Sequence, residues 1–272
     1  MVLAAQLGAM VYACINDFGD FCRFCGRTLS QVPAAAMHKQ HYRSLLVQLF
    51  EVGTRSIPVV MITGAFVGAV LAVQTVSQFK AIGMIDSMGT IVNMSVLREL
   101  GPVLAGIMLA GRVGGGLTAE LGTMRVTEQI DALRAIGTDP IGVLVVPRFL
   151  ACIMLIPILA LYASFMGILG GYVISVHLYG ASQTMFWANA ADSVFIYDIF
   201  YGPIKCAFFG AVMALICCYK GFHCKPGAAG VGRACTESFV ASCMAILGLD
   251  FFLGMAMNSM IEAIWGVKVL LG

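Results

Sequence analysis

The segment "IVNMSVLRELGPVLAGIMLA", Ile91 to Ala110, is almost entirely apolar. A helix of about 20 such residues crosses the hydrocarbon core of a bilayer. Arg98 and Glu99 nevertheless stand side by side within it, just before Gly101 and Pro102. A charged side chain at the centre of a membrane helix costs about 2.5 to 3.5 kcal/mol, so each of these charges needs a polar partner. The segment therefore predicts a membrane span that carries a functional position.

The composition of the whole chain agrees with an integral membrane protein. Of its 272 residues, 60% are hydrophobic and 11% are charged, and the mean hydropathy is +0.92. Soluble domains have far more charge than this. The net charge of +2 excludes the basic excess that would indicate a nucleic-acid partner. The cysteines are scattered, and the single CxxC, Cys22 and Cys25, has no second ligand pair, so no metal site is predicted.

Hydropathy predicts an all-α protein with five transmembrane helices. Before them, Met1 to Leu29 mixes apolar and charged residues, which is typical of a helix lying along the membrane interface. We therefore divide the chain into an N-terminal interfacial region, 1–55, and a transmembrane domain, 56–272. The predicted spans are Ile57 to Phe79, Ile91 to Ala110, Phe149 to Val176, Val194 to Tyr219 and Phe239 to Ser259.

The distribution of lysine and arginine predicts the orientation of these spans. Twelve of the 16 basic residues fall in the N-terminal region, in the connection between spans two and three, or in that between spans four and five. Loops rich in lysine and arginine stay on the cytoplasmic side. The N-terminus is therefore predicted to be cytoplasmic, and five spans place the C-terminus on the opposite side.

Further charges fall within the predicted spans, among them Lys205 in the fourth and Asp250 in the fifth. Adjacent residues on a helix point in different directions, so Arg98 and Glu99 do not neutralise each other. One hypothesis is a structural set of ion pairs, Glu99 with Lys205 and Arg98 with Asp250. The other is that Arg98 and Glu99 line a cavity that receives an anionic head group, because a guanidinium suits phosphate. The residue types alone do not choose between the two.

The segment from Arg112 to Pro140 is the longest polar stretch and is predicted to form a coupling region, 112–140. Val126, Ile130 and Leu133 recur at helical spacing, which indicates a short amphipathic cytoplasmic helix. Its charges of both signs favour a protein partner. The glycines around the start of this stretch, Gly111, Gly114, Gly115 and Gly116, match no nucleotide-binding pattern and are interpreted as packing residues. The chain has no recognisable catalytic motif.

Two long motifs make the chain similar to a known family. These are "LRELGPVLAGIMLAGRVGGGLTAELGTMRVTEQIDAL" and "GVGRACTESFVASCMAILGLDFF", within a resemblance that covers residues 48–253. The chain resembles the MlaE-type permeases, the membrane subunits of ABC transporters that move lipid between membranes. The family's fold, an N-terminal interfacial helix followed by five transmembrane helices, agrees with the spans counted above.

The resemblance implies a homodimer that encloses a phospholipid cavity, in a bacterial inner membrane. It also implies a cytoplasmic ABC ATPase that carries ATP and Mg²⁺, so no cofactor or catalytic residue is expected on this chain. A periplasmic MCE-domain protein would exchange lipid with it and maintain outer-membrane lipid asymmetry, and a small STAS-type regulatory subunit is a further partner. The implied cavity residues are Arg98, Glu99, Leu71, Gln74, Gln78 and Phe79, and the implied coupling residues are Glu120, Arg125, Glu128, Gln129, Asp131 and Arg134.

A competing interpretation is a stand-alone channel or secondary carrier for an ion or small solute. In that case the four intramembrane charges would act as its relay. The two functions differ in their partners, because a permease of an ABC transporter binds an ATPase and a carrier does not.

Overall fold

The structure is a computed structural model that describes residues 2–37, 39–81 and 88–265. Over those ranges the regular structure is entirely helical, as predicted. In the described residues, four π-helical turns, in which the backbone hydrogen bond reaches one residue further, interrupt or extend the α-helices. The α-helices are α1 (Val2–Met37), α2 (Lys39–Val52), α3 (Ile57–Ala81), α4 (Met88–Ser95), α5 (Gly101–Leu109), α6 (Gly115–Val126), α7 (Gln129–Ala135), α8 (Val146–Val173), α9 (Gln183–Ser193), α10 (Ile196–Phe222) and α11 (Ala228–Trp265).

The prediction of five membrane spans is confirmed, because five segments of the described chain are long and apolar enough to cross a bilayer. The second is longer than predicted. It runs without interruption from α4 to the end of α6. The π-helical turns at Val96–Leu100 and Ala110–Gly114 keep the chain helical through a cluster of four glycines, Gly111, Gly114, Gly115 and Gly116. Of those glycines, Gly114 packs closely on Cys217 of α10, whereas Gly115 and Gly116 face open space.

The closest helix packing joins α3 to α8. Gly64 lies against the backbone of Ala163, and Gly68 lies against that of Gly167. A methyl group at Gly68 would be 1.7 Å from the carbonyl oxygen of Gly167, which no packed structure allows. Small residues spaced four apart let two membrane helices approach until their backbones touch. This contact holds the first span against the third.

The N-terminal region contains two helices instead of the single one predicted for Met1 to Leu29. Helix α1 continues to Met37, and α2 precedes the first span. One face of α1 is anchored by Phe24, which is buried against Tyr219 and Phe222 at the end of α10. Tyr12, Ile15 and Phe18 are exposed. An amphipathic helix with exposed large apolar side chains suits the membrane interface.

The coupling region differs from the single amphipathic helix that was predicted. Helix α6, the end of the second span, continues to Val126, and the chain then turns at Thr127 and Glu128. Glu128 has a φ of 60°, a left-handed conformation that few residues other than glycine adopt. The short helix α7 starts after it and buries Ile130 beneath the bundle. The predicted short helix is thus present as α7, but the break at Glu128 was not predicted, because a left-handed glutamate has no signal in the local sequence.

Candidate functional site

Arg98 and Glu99 lie in the π-helical turn Val96–Leu100, in the middle of the second span. The amide of Gly101 donates to the carbonyl of Val96, five residues earlier. Pro102 follows immediately and has no N–H to continue the α-helical pattern, which favours a local irregularity here. Single π-helical turns occur frequently at functional sites. The two charged side chains of this turn bind different positions along helix α10.

The Arg98 guanidinium binds the start of helix α10. Its Nε donates to Asp198 Oδ1 at 2.6 Å, and its Nη2 donates to the Tyr197 hydroxyl at 2.8 Å. Asp198 is fully buried, and its second oxygen accepts the Phe195 amide at 3.0 Å. Asp198 thus neutralises Arg98 and caps α10 with the same carboxylate. The sequence-based prediction omitted Asp198, although an acidic residue in the first turn of a helix is a recognisable capping signal.

Glu99 belongs to a second cluster, built around Lys205 of α10. The Lys205 ammonium donates to Glu99 Oε2 at 2.8 Å and to Asp250 Oδ1 of α11 at 2.9 Å. It also lies 4.8 Å from the centre of the Tyr201 ring, and Gly254 lines the same space. Lys205 is completely inaccessible to solvent, so its charge depends on these two carboxylates.

These contacts test the two ion pairs that were predicted. Glu99 binds Lys205, as one hypothesis had it, but the pairing of Arg98 with Asp250 is wrong. Asp250 lies on Lys205, and the partner of Arg98 is Asp198. Ionised, these five groups carry one net negative charge.

The cluster is partly exposed. Glu99 is 49% exposed and Arg98 is 24% exposed, whereas Lys205 and Asp198 are fully buried. Each exposed charge is therefore held in place by a buried partner of opposite sign. Such an arrangement presents a fixed carboxylate and a fixed guanidinium to whatever covers this part of the helix.

The other expected cavity residues, on α3, are arranged differently. Leu71 and Phe79 pack against an apolar cluster that includes Val92 and Val96, so they support the start of the charged turn. Gln74 is exposed. The side chain of Gln78 lies outside the part of the chain that the structure describes.

The expected coupling residues separate into two groups. Arg125 and Arg134 both bind Asp131, at 2.6 and 3.1 Å, on the exposed surface of α7. Gln129 begins that helix and Glu128 forms the turn before it. Glu120 does not belong with them, because it lies on α6 and binds the buried Arg148 of α8 at 2.9 Å. Ile136, which was not predicted, caps α7 and is 78% exposed.

Cys25 of α1 has the chemistry of a protonated thiol. Burial, together with the neighbouring Cys22, raises the pKa of Cys25 to about 11. A thiol with so high a pKa is a poor nucleophile and a poor metal ligand at neutral pH. Within the described ranges, no three histidine, cysteine or acidic side chains come together in a way that could hold a metal ion.

Comparison with known proteins identifies the family to which this geometry belongs. A family model described as Permease MlaE matches residues 45–256. The chain belongs to the MlaE permease family. The resemblance noted in the sequence is thereby confirmed, and this MlaE-family chain is a multi-pass membrane protein and an ABC transporter permease.

Curated relatives of this MlaE-family permease come from several kinds of organism. A probable ABC transporter permease protein of Rickettsia felis is 39% identical over 246 residues, covering 90% of this chain and 93% of the relative. The intermembrane phospholipid transport system permease protein MlaE of Haemophilus influenzae is 35% identical over 239 residues, covering 86% and 92%. The chloroplastic protein TRIGALACTOSYLDIACYLGLYCEROL 1 of Arabidopsis thaliana is 37% identical over 215 residues, covering 79% and 61%.

Proposed function

We propose that this permease moves phospholipid between the inner membrane and a periplasmic partner, using ATP hydrolysed on a separate chain. The observation that carries the proposal is Glu99, a carboxylate that is 49% exposed at mid-span yet held by the fully buried Lys205. The Haemophilus influenzae relative, which is named as a phospholipid transport permease, supports the choice of substrate.

A second copy of the chain provides the environment that Glu99 needs. A half-exposed carboxylate facing acyl chains would be costly, so it must face a polar cavity. Phe251, Phe252 and Met255, on α11 beside Asp250 and Gly254, are all exposed. An apolar face next to a charged opening suits a homodimer that encloses a cavity with apolar walls and a charged centre. Such a cavity matches a lipid, whose acyl chains are apolar and whose head group is charged.

The exposed charges also suit the head group of a phospholipid. Arg98 offers a guanidinium to the phosphate, and Glu99 offers a carboxylate to an ammonium or hydroxyl group beyond it. The net negative charge of the five groups favours a head group that brings a positive charge of its own. We therefore expect zwitterionic phospholipids to bind better than singly anionic ones.

Substitution of Glu99 by glutamine tests this proposal. Glu99→Gln keeps the shape of the side chain and leaves Lys205 its contact with Asp250. We expect the variant to fold, while phospholipid copurification and ATP-driven lipid transfer fall by about tenfold, the loss of one charged hydrogen bond. Lipid mass spectrometry and a liposome transfer assay provide the measurements.

A matched control for this test is Glu237→Gln, which removes a carboxylate paired with Lys220 at the other end of the bundle. It should leave lipid binding unchanged. Lipid copurification that is equal in Glu99→Gln and the unsubstituted protein would contradict the proposal. Arg98→Ala is a poorer test, because it leaves the buried Asp198 without its cation and so disturbs folding as well.

The coupling region is the proposed docking site of the ATPase. Asp131 of α7 binds Arg134 of the same helix and Arg125 at the end of α6 in one exposed ion-pair network, and Ile136 projects beside it. An exposed apolar side chain with a charged rim is typical of a protein interface.

With the ATPase at the coupling region, the N-terminus is cytoplasmic and the C-terminus is periplasmic. The periplasmic side then meets an MCE-domain protein, through which the system would maintain outer-membrane lipid asymmetry.

Replacement of Ile136 by aspartate tests the ATPase contact. Burial of an isoleucine contributes about 1.5 to 3 kcal/mol, so Ile136→Asp should weaken ATPase binding by at least about tenfold. Copurification and titration of the ATPase onto the purified permease measure the change. Ile136→Leu should bind normally. ATPase binding that survives Ile136→Asp would place the contact elsewhere on the cytoplasmic surface.

A stand-alone channel or carrier is not favoured, because the chain is an ABC transporter permease by family. The charges that would form its relay are held in ion pairs instead. Purification distinguishes the two functions, since a carrier would not retain an ATPase through α7.

A further inference from the structure

An arginine-lined groove lies at the opposite end of the bundle from α9, between the N-terminal helix and the coupling region. Its volume is about 410 Å³. Arg23 and Arg27 of α1 line one side, and Arg125 and Arg134 line the other. We call these four residues, with the floor formed by Phe24 and Phe222, the arginine groove. None of the functions described above uses α1 or explains why four guanidinium groups meet there.

The charges of the arginine groove do not cancel. Arg125 and Arg134 share a single carboxylate, Asp131. Arg23 lies 3.5 Å from Asp20. Arg27 takes part in no ion pair with any residue that the structure describes. With four guanidinium groups against two carboxylates, the groove has an excess of positive charge that an anion can neutralise.

The groove is a built feature of the fold. Gln31 of α1 donates to Asp139, whose other oxygen accepts the Ile141 amide at 3.0 Å. This contact fastens α1 to the loop that leads into the third span. Phe24, two turns earlier in α1, also fixes the helix by packing on Phe222. The two pairs of arginines are therefore held apart at a defined separation, on two segments of the chain that are distant in sequence.

The floor of the groove indicates an amphiphilic ligand. Phe24, Phe222 and Ile141 form its apolar part, at the point where α10 ends. The arginines surround that floor. A phosphate group suits this rim because guanidinium groups bind it through two parallel hydrogen bonds, and the apolar floor suits the glycerol and first methylene groups that follow it in a lipid.

We propose that the arginine groove binds a phosphate group that no positive charge in the same molecule neutralises. The phosphate would come from an anionic lipid of the adjacent leaflet or from soluble phosphate. A phosphate bound in the groove bridges α1 to α7 and stabilises the coupling region in its position beside α1. The groove thus makes the position of the coupling region depend on an anion. The site is separate from Glu99 and does not depend on the proposed transport of phospholipid.

The test uses the purified full-length permease in detergent and follows its thermal unfolding. The probes are phosphatidylglycerol, inorganic phosphate and, as the zwitterionic control, phosphatidylcholine. We expect phosphatidylglycerol to raise the unfolding temperature and phosphatidylcholine to have no such effect. In the double variant Arg27→Gln/Arg134→Gln, the concentration needed for the same shift should rise by at least about tenfold.

Arg55→Gln is the matched control, because it removes an exposed arginine next to the first span and outside the groove. It should respond like the unsubstituted protein. A response to phosphatidylglycerol alone identifies the lipid as the source, and an equal response to inorganic phosphate identifies the soluble anion. The proposal is overturned if the double variant and Arg55→Gln respond alike to phosphatidylglycerol and to inorganic phosphate. Glu99→Gln should keep the anion response, which separates this test from that of the proposed function.

Discussion

Lys205→Met is expected to destabilise the permease by about 3 kcal/mol or more. Among the described residues, Lys205 is the only cation in ion pairs with Glu99 and Asp250, so the substitution leaves both carboxylates without a counter-charge. Methionine fills a similar volume, so the loss of stability comes from the missing charge and not from a cavity. Unfolding of the purified protein in increasing sodium dodecyl sulfate, followed by circular dichroism, measures the effect.

The same substitution at Lys220 is the control for this prediction. Lys220 binds Glu237 at 2.9 Å, but both side chains are well exposed. Exposed ion pairs contribute about 0 to 1 kcal/mol, so Lys220→Met should have little effect. The double variant Lys205→Met/Asp250→Asn should recover part of the lost stability, since it removes one of the stranded charges. Equal stability of the two methionine variants would show that the Lys205 cluster does not hold α10 to α11 and the second span.

Gly68→Ala is expected to disrupt the contact between the first and third spans. The added methyl group would lie 1.7 Å from the Gly167 carbonyl oxygen, about half of a normal contact distance. The helices would have to separate along their whole shared face, where Gly64 and Gly170 also touch backbone. Because backbone cannot move aside as a side chain can, we expect a loss of at least about 3 kcal/mol, at the upper end for overpacking. The same detergent unfolding assay measures it.

Gly116→Ala provides the control for the backbone effect of alanine. No atom lies within 4 Å of a methyl group placed at Gly116. Alanine is a better helix former than glycine by about 1 kcal/mol, so this variant should be unchanged or slightly more stable. A Gly68→Ala protein as stable as Gly116→Ala would mean that α3 and α8 are not packed backbone to backbone.

Of the two ion pairs predicted for the intramembrane charges, the structure contains Glu99 with Lys205 but not Arg98 with Asp250, and the difference has a physical cause. Hydropathy located Arg98, Glu99, Lys205 and Asp250 within apolar spans, because the cost of a charge in hydrocarbon is a property of the residue itself. Partners were harder to predict, because they depend on how each helix is rotated about its axis. Asp198 was omitted because it lies in the first turn of α10, where an acidic residue also serves as a cap.

The coupling region shows the same division. The spacing of Ile130 and Leu133 correctly indicated an amphipathic helix, because periodicity is a local property of the chain. The break at Glu128 was not predictable, since its left-handed backbone is imposed by the surrounding structure. That break separates Glu120 from α7, and Glu120 forms an ion pair with Arg148. The exposed position of Ile136 follows from the same turn.

The sequence by itself determined the number of membrane helices and that Arg98, Glu99, Lys205 and Asp250 bring charge into the membrane. Both follow from the match between apolar length and bilayer thickness, which needs no knowledge of contacts. The tertiary structure alone decided that Arg98 binds Asp198, that Lys205 joins Glu99 to Asp250, and that four arginines from α1 and the coupling region meet in one groove. These pairings connect residues about 45 to 110 positions apart, and only the packing of helices brings such residues within hydrogen-bond distance.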